Sequence, residues 1–286
     1  MIYFCADDYG ISKESNNRIE QCLDGALNKI SVLPNGVAGA ASLVGRAKLS
    51  LHLNLVEGRA LSNPSDIPLL VNENGTFRYS FIGLFALSLT PKRKELEKQL
   101  YQEIKAQITW WKKQVGQEEP ICLDSHQHTH MIPLVFRTLM KVIREEEVKV
   151  ESLRFPAEPL MPYLLTPSLY LSYRPVGLIK QWLLIILGWF NRREWKASGI
   201  PQGYFMGVLF SGQVTEGVLK KILPKYEKLA AKTGNDIEIG FHPGYLEENQ
   251  AKDSLIEGCR SDFLHFYLSP WRKKEYDTLK SFSVNK

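Results

Sequence analysis

Residues 2–10 read IYFCADDYG, a short apolar run that ends in two adjacent carboxylates and a glycine. The run from Ile2 to Ala6 is too short for a buried helix, so it predicts a buried β-strand. The residues from Ser12 to Leu27 have helical character, and the chain therefore begins as strand, loop and helix. Parallel α/β folds are built by repeating that unit.

Similar apolar runs recur along the chain, and long helical patterns separate several of them. The further predicted strands are Ser31 to Leu33, Leu49 to Leu55, Ile121 to Leu123, Ser152 to Phe155 and Ile237 to Phe241. Strands alternating with helices favour a parallel sheet, either open or closed into a barrel. We favour an irregular, TIM-barrel-like (β/α) barrel in a single domain over residues 1–286. The reason is that polar residues collect where the strands end, which is where such barrels place their sites.

Three helices have clear signals in the sequence. A helix is predicted between Thr90, an N-cap followed by proline, and Gly116, which lies beyond its end. A second is predicted over Leu134 to Glu146. A third follows Thr215, and Pro224 should break or kink it.

Residues 156–203 break the alternation, and we treat them as an excursion inserted into the barrel domain. The segment is rich in proline and tryptophan and includes the basic pair Arg192 and Arg193. Its first interpretation is an extra helix packed on the barrel, with Trp182 and Trp189 packed against the barrel's outer helices. A helix on a membrane surface stays open as an alternative, because a tryptophan-rich apolar face beside basic residues is typical of interfacial helices.

The composition is that of a globular protein, with 44% hydrophobic and 23% charged residues, which excludes a disordered chain. The formal net charge is +5 with the basic residues scattered, so we expect no nucleic-acid partner. Four widely spaced cysteines without a CxxC motif favour free thiols in a reducing compartment. The N-terminus does not resemble a secretory signal, and no apolar stretch reaches the length of a membrane span. We therefore predict a cytoplasmic protein.

Histidines cluster where apolar runs end. Five of the six histidines occupy such positions: His52, His126, His128, His130 and His242. In an extended segment, residues two apart share a face, so we expect His126, His128 and His130 to project together as a row.

Asp7 and Asp8 form an adjacent pair of carboxylates at the end of the first apolar run. At a strand-to-loop turn both can reach one pocket with different roles, although exposed loop acids or a helix N-cap are alternatives. Two histidines and a carboxylate suit Zn²⁺, and with open water positions they also suit Mn²⁺, Ni²⁺ or Mg²⁺. Such a metal lowers the pKa of its water, and an uncoordinated carboxylate could take the proton.

Five motifs resemble, in order and approximate spacing, those of the YdjC-like carbohydrate deacetylases. They are ADDYG near the N-terminus, Ser31 with Asn35-Gly36, HLNLVEG around His52, DSHQHTHMIP around His126 and GFHPG around His242. The resemblance extends from Ile2 to about Gly244. It implies an irregular (β/α) barrel, one divalent metal ion, usually Mg²⁺, and removal of acetyl groups from N-acetylated amino sugars such as chito-oligosaccharides.

The resemblance also implies roles at single positions of this sequence. The implied metal ligands are Asp8, His52 and His126, and the implied catalytic base is Asp7. His242 is the proton donor, and the pocket-lining residues are Asn54, His128 and His130. Pro34 departs from the family pattern, since it interrupts a segment that is usually a Thr- and Ala-rich strand, and this departure bears on the substrate.

These observations predict a metal-dependent carbohydrate N-deacetylase that acts on an acetylated amino sugar. The alternatives are another metal-dependent hydrolase, of phosphoesterase or amidohydrolase-like type, and a non-catalytic sugar-binding or membrane-surface protein. We also expect a homo-oligomer. Sugar rings present apolar C–H faces to aromatic side chains, so we expect three tyrosines of the excursion to form one wall of the sugar cleft: Tyr163, Tyr170 and Tyr173.

Overall fold

A computed structural model describes residues 1–250, 255–259 and 261–282, and its seven strands form one parallel sheet. The strands are β1 (Ile2–Tyr9), β2 (Lys29–Val32), β3 (Lys48–Leu53), β4 (Ile121–Ser125), β5 (Val150–Leu153), β6 (Tyr204–Met206) and β7 (Ile237–Phe241). Their order across the sheet is β5-β4-β3-β2-β1-β7-β6. The predicted α/β class and parallel pairing are confirmed, and only the three-residue β6 was missed in the sequence.

The sheet curls into a half-barrel whose edges are β5 and β6. Arg154, which directly follows β5, crosses the concave side to Glu238 on β7, with 2.6 Å between Nε and Oε1. The guanidinium of Arg154 also lies over the ring of Phe205 on β6, 4.7 Å from its centroid. Contacts across the concave side therefore connect the two ends of the sheet.

The helices are α1 (Lys13–Gln21), α2 (Phe81–Ser88), α3 (Arg93–Val115), α4 (Pro133–Glu145), α5 (Met161–Leu164), α6 (Pro175–Ser198), α7 (Glu216–Thr233), α8 (Ser261–Tyr267) and α9 (Pro270–Ser281). Short 3₁₀ helices occupy Cys22–Asp24, Ala41–Leu43, Pro64–Asp66, His126–Met131 and Pro167–Ser172. None of the helices in the described part of the chain is long and apolar enough to cross a membrane.

Two of the predicted helices are confirmed with shifted ends, and a third differs in its interior. The helix predicted after Thr90 begins at Arg93 and ends before Gly116, and the second spans Pro133–Glu145. The predicted break at Pro224 is wrong, because α7 continues through this residue. Its apolar face is buried against the protein, and this burial holds the helix together despite the amide hydrogen bond that proline cannot donate.

The strands present an apolar face to the helices and a polar face to the concave side. Apolar residues such as Ile30, Leu51 and Leu123 belong to the main core. The residues that alternate with them are hydrogen-bonded to one another: Oδ2 of Asp124 accepts from the hydroxyls of Ser31 and Ser50, at 2.5 and 2.7 Å. Alternation along each strand thus places the polar groups in one buried layer.

Residues 156–203 contain α5, a 3₁₀ helix and the long helix α6. One side of α6 packs on the protein, as expected for a helix added to the barrel. Trp182 and Trp189 do not pack against the outer helices as expected, since more than half of each residue is exposed. The buried positions on α6 include Leu184, Leu187 and a different tryptophan, Trp195.

Candidate active site

A β-bulge at the end of β1 brings the two adjacent acids into one site. Ala6 pairs with Ile30 and Tyr9 pairs with Val32, so β1 carries one more residue than β2 between these pairs. Asp8 takes the strained, left-handed conformation with φ of 68°. Asp7 and Asp8 consequently line the same cavity, through a bulge inside the strand rather than through the expected loop.

Asp8, His52 and His126 converge at the carboxyl ends of β1, β3 and β4. Oδ1 of Asp8 lies 3.0 Å from Nδ1 of His126 and 3.7 Å from Nε2 of His52. One ligand atom from each of the three residues lies within 4.8 Å of the others, and all three side chains are buried. The structure therefore brings together the three residues predicted as metal ligands, and they could hold a metal ion.

Each imidazole of this trio is backed by a buried carboxylate. Nδ1 of His52 lies 2.5 Å from Oδ1 of Asp124, its register partner on β4. Nε2 of His126 lies 2.9 Å from Oε2 of Glu57. A carboxylate fixes the N–H on the nitrogen it contacts, so the other nitrogen, on the side of Asp8, is the one available to a metal ion. One carboxylate and two oriented imidazoles are a donor set that fits a divalent metal.

The carboxylates also govern the protonation of the histidines. Burial would lower the pKa of His52, but Asp124 raises it to about 9. Burial would likewise lower the pKa of His126, but Asp8 and Glu57 raise it to about 10. Without a metal, each imidazole ring is therefore protonated and positively charged between its acidic neighbours. A divalent cation would displace the extra proton from each ring.

Two arginines neutralise the acid pair. Burial would raise the pKa of Asp8, yet Arg272 of α9, hydrogen-bonded to its Oδ2, holds that pKa well below the usual value. The guanidinium of Arg154 donates two hydrogen bonds, of 2.7 and 2.8 Å, to the carboxylate of Asp7. This pair outweighs burial and lowers the pKa of Asp7, which keeps the carboxylate ionised.

The predicted row of three histidines is wrong. His126–Met131 form a 3₁₀ helix in which Gln127 and His128 have φ values of 53° and 58°. The chain must turn from β4 into α4 within these residues, because Pro133 already occupies the first turn of α4, and an extended row would not allow that turn.

The turn sends the three rings in different directions. His126 faces Asp8, while His128 lines the cavity with its ring against Phe205, and burial lowers the pKa of His128 well below the usual value. Nδ1 of His130 lies 2.5 Å from the Ser125 hydroxyl, and its Nε2 lies 2.8 Å from the Arg154 carbonyl. His130 thus bonds within the core and is not among the described residues that line the cavity.

Asn54 lies behind Glu57. Its Oδ1 accepts from the backbone N–H groups of Val56 and Glu57, and its Nδ2 donates to the Glu57 carbonyl at 2.7 Å. Asn54 is fully buried, and these bonds hold the turn that carries Glu57 to His126. It is absent from the described lining of the cavity.

A cavity of about 380 Å³ opens over the acids and the histidines. His242 lines it from the end of β7, and its backbone N–H donates to Oε2 of Glu275 at 2.6 Å. Nδ1 of the His242 ring lies 3.8 Å from the same oxygen. The remaining walls are largely apolar and include Phe81, Ile82, Ile179, Leu183, Leu184, Val208 and Phe266.

The segment 156–203 reaches the cavity through α6 and not through the three tyrosines expected to form a wall. Tyr163 is buried and bonded to Glu158 and Tyr226. The hydroxyls of Tyr173 and Tyr170 donate to backbone carbonyls of the same segment. The tyrosine wall was therefore wrong, and the cavity wall from this segment is mainly aliphatic, with Lys180 beside it.

Four residues of the site were missed in the sequence. Glu57 and Asp124 lie inside the quoted motifs HLNLVEG and DSHQHTH, but each acid supports the histidine of the other motif, so sequence proximity does not reveal these pairs. Arg154 directly follows β5, the strand-end position that the histidines occupy on other strands. Arg272 lies beyond the motifs on α9, and the sequence carries no local signal for its pairing with Asp8.

Known proteins resemble this chain in sequence and in fold. The sequence profile described as YdjC-like protein matches residues 1–286. A carbohydrate deacetylase from Danio rerio is 29% identical over 158 residues, which are 54% of this chain and 49% of that protein. The match therefore spans about half the length of that relative.

A solved structure from Enterococcus faecalis V583, provisionally described as a cellobiose-phosphate cleavage protein, has a TM-score of 0.58 with this chain. The superposition covers 97% of this chain and 94% of that one, at 17% identity. At this identity the likeness shows a shared fold alone.

Proposed function

Because the chain belongs to the YdjC-like family, we propose that it is a metal-dependent carbohydrate N-deacetylase. It is a hydrolase that removes acetyl groups from N-acetylated amino sugars of the chito-oligosaccharide type. The observation that carries the proposal is the convergence of Asp8, His52 and His126, with both imidazoles backed by buried carboxylates. The name of the Danio rerio relative, a carbohydrate deacetylase, supports the substrate class.

The site sits at the carboxyl end of the half-barrel strands, as it does in TIM barrels. We extend this likeness to the whole chain, as a single TIM-barrel-like domain over residues 1–286 with 156–203 as an excursion. The excursion contributes α6 to the cavity wall, which supports its place beside the site.

Asp8, His52 and His126 would hold one divalent ion, which we take to be Mg²⁺ from the family, with Zn²⁺, Mn²⁺ and Ni²⁺ compatible with the same donors. When bound, such a cation supplies Lewis acidity, which lowers the pKa of water and polarises the acetamide carbonyl. Asp124 and Glu57 orient the two imidazoles, and Arg272 holds Asp8.

Asp7 is the general base. The ion pair with Arg154 keeps the Asp7 carboxylate ionised and fixes its orientation. The carboxylate can then accept a proton from the water that attacks the acetamide carbon. The C–N bond then breaks, and His242, at the end of the neighbouring strand β7, gives a proton to the departing amine. The side chain of Glu275 lies beside this ring, with 3.8 Å between its Oε2 and Nδ1 of His242.

His128 lines the cavity and contacts the substrate as a neutral ring. Asn54 and His130 act on the substrate pocket indirectly. Asn54 does so by holding the turn of Glu57, and His130 by bonding the carbonyl of Arg154.

A screen of N-acetylated mono- and disaccharides for released acetate, with and without chelator, tests the proposal. We expect acetate release that stops on chelation and returns when a divalent metal is added back. The His52→Ala variant should stay inactive at every metal concentration that restores the unaltered chain, whereas His265→Ala, at the rim of the cavity, should retain activity. Acetate release that is indifferent to chelation would contradict the proposal, and so would activity in His52→Ala.

A further inference from the structure

An apolar stripe runs along the solvent side of α6. Its members follow one another at intervals of three, four and three residues, which places them on one face of the helix. They are Ile179, Trp182, Ile186 and Trp189, with exposures of 68%, 54%, 51% and 67%. The opposite face of α6 packs into an apolar cluster with Phe205 and Val208. A helix on the surface of a protein usually has a polar outer face, so the outer face of α6 is built for contact with something apolar.

Basic side chains lie on the same helix as this stripe. Helix α6 carries four basic side chains, Lys180, Arg192, Arg193 and Lys196, against a single acid, Glu194. Residues 79–91, which include the neighbouring helix α2, contain no charged residue. Helix α6 therefore carries more positive than negative charge, and its face complements an anionic apolar partner.

The stripe is continuous with the mouth of the cavity. Ile179 at its first position also lines the cavity, and so does Ile82 of α2, which is 62% exposed. Whatever covers the stripe thus also faces the opening through which a substrate enters.

We propose that α6 docks the protein on the surface of an anionic lipid bilayer. Trp182 and Trp189 would lie at the level of the lipid headgroups, which tryptophan favours because its ring is apolar and its N–H is polar. Arg192 and Arg193 would face the lipid phosphates. The helix lies on the membrane and does not cross it. Docking of this kind turns the cavity mouth toward the lipid surface.

A second copy of the chain fits this face less well. A symmetric dimer pairs a surface patch with the same patch of its partner. Contact through the stripe would therefore place two α6 helices against each other, each with four basic residues and one acid, and like charges would oppose association.

Co-sedimentation of the full chain with lipid vesicles tests the proposal without reference to catalysis. We expect binding to vesicles of phosphatidylcholine with 30% phosphatidylglycerol, about tenfold or more stronger than to phosphatidylcholine alone. The double variants Trp182→Ser/Trp189→Ser and Arg192→Glu/Arg193→Glu should each weaken binding to the anionic vesicles by about tenfold or more.

The control variants make changes of the same kind at other places on the protein surface. Val44→Ser removes a similarly exposed apolar side chain from the connection between β2 and β3, and Lys228→Glu/Lys232→Glu reverses two charges on α7. Both controls should bind vesicles as the unaltered chain does, and circular dichroism should show all variants folded. Absence of vesicle binding, or equal loss in stripe and control variants, would overturn the proposal. So would a vesicle-independent dimer that the tryptophan variant dissociates.

Discussion

Glu57→Gln tests whether the carboxylates behind the histidines matter for the metal site. Glu57 is fully buried, and its Oε2 contacts Nε2 of His126 and accepts from the hydroxyl of Tyr267, both at 2.9 Å. Its Oε1 accepts from Sγ of Cys259 at 2.8 Å. Glutamine keeps the size of the side chain, removes its charge and turns one of the two oxygens into an N–H₂ donor.

The expected loss follows from the geometry. His126 is one of only three proposed protein ligands, and the Glu57 carboxylate makes its Nδ1 a better electron donor by holding the proton on Nε2. Removal of such a carboxylate typically weakens metal binding about 10- to 100-fold, which is about 1.4 to 2.7 kcal/mol. We expect the variant to fall within this range and to stay folded.

Isothermal titration of the chelator-treated chain with Mn²⁺ and with Zn²⁺ measures the effect. The matched control is Glu257→Gln, the same chemical change at an exposed position that pairs with Arg59. The control should bind metal as the unaltered chain does. Affinity within twofold of the unaltered chain in Glu57→Gln would refute the reasoning, and an equal loss in the control would show that the change in net charge is responsible.

Three further outcomes are expected. Asp7→Asn should keep metal affinity within about threefold but lower kcat for acetate release by about 10²- to 10⁴-fold, and retained turnover would remove Asp7 as the base. His242→Gln should lower kcat by about 10²-fold with little change in KM, which steady-state kinetics would show, and an unchanged kcat would exclude it as the proton donor. Burial raises the pKa of Glu158 to about 7, so between about pH 4.5 and pH 7 the folded chain holds a proton that the unfolded chain has lost. The free energy of unfolding should therefore fall by about 3 kcal/mol as pH rises through that window. Urea unfolding at pH 4.5 and pH 8 measures this fall, which should be smaller in Glu158→Gln than in the unaltered chain. An equal fall in the two proteins would contradict the assignment.

The part of the site that lies at strand ends could be predicted from the sequence. The acids at 7 and 8 follow an apolar run predicted as a strand, His52 lies within another, and the carboxyl ends of parallel strands meet at one edge of a sheet. His126 follows β4 in the same way. The parallel topology of the sheet is therefore enough to predict that these residues converge.

The parts of the site that depend on the path of the chain after a strand could not be predicted. Residues 126–131 turn into a 3₁₀ helix, because the chain must enter α4 at once, and spacing in sequence does not reveal such a turn. Arg272 reaches Asp8 from a helix 264 residues further along the chain, a pairing that only the folded topology makes. The exposure of Trp182 and Trp189 was also hidden, since an apolar helix segment looks the same whether it faces the core or solvent.

The central claim is that Asp8, His52 and His126 together hold one divalent ion beside Asp7. Anomalous diffraction from crystals of the chain grown with Mn²⁺ or Zn²⁺ tests it most directly. The account predicts one anomalous peak about 2.0 to 2.3 Å from Oδ1 of Asp8, Nε2 of His52 and Nδ1 of His126. A peak bound to His128 in place of His126, or no peak among these three side chains in metal-loaded crystals, would contradict it.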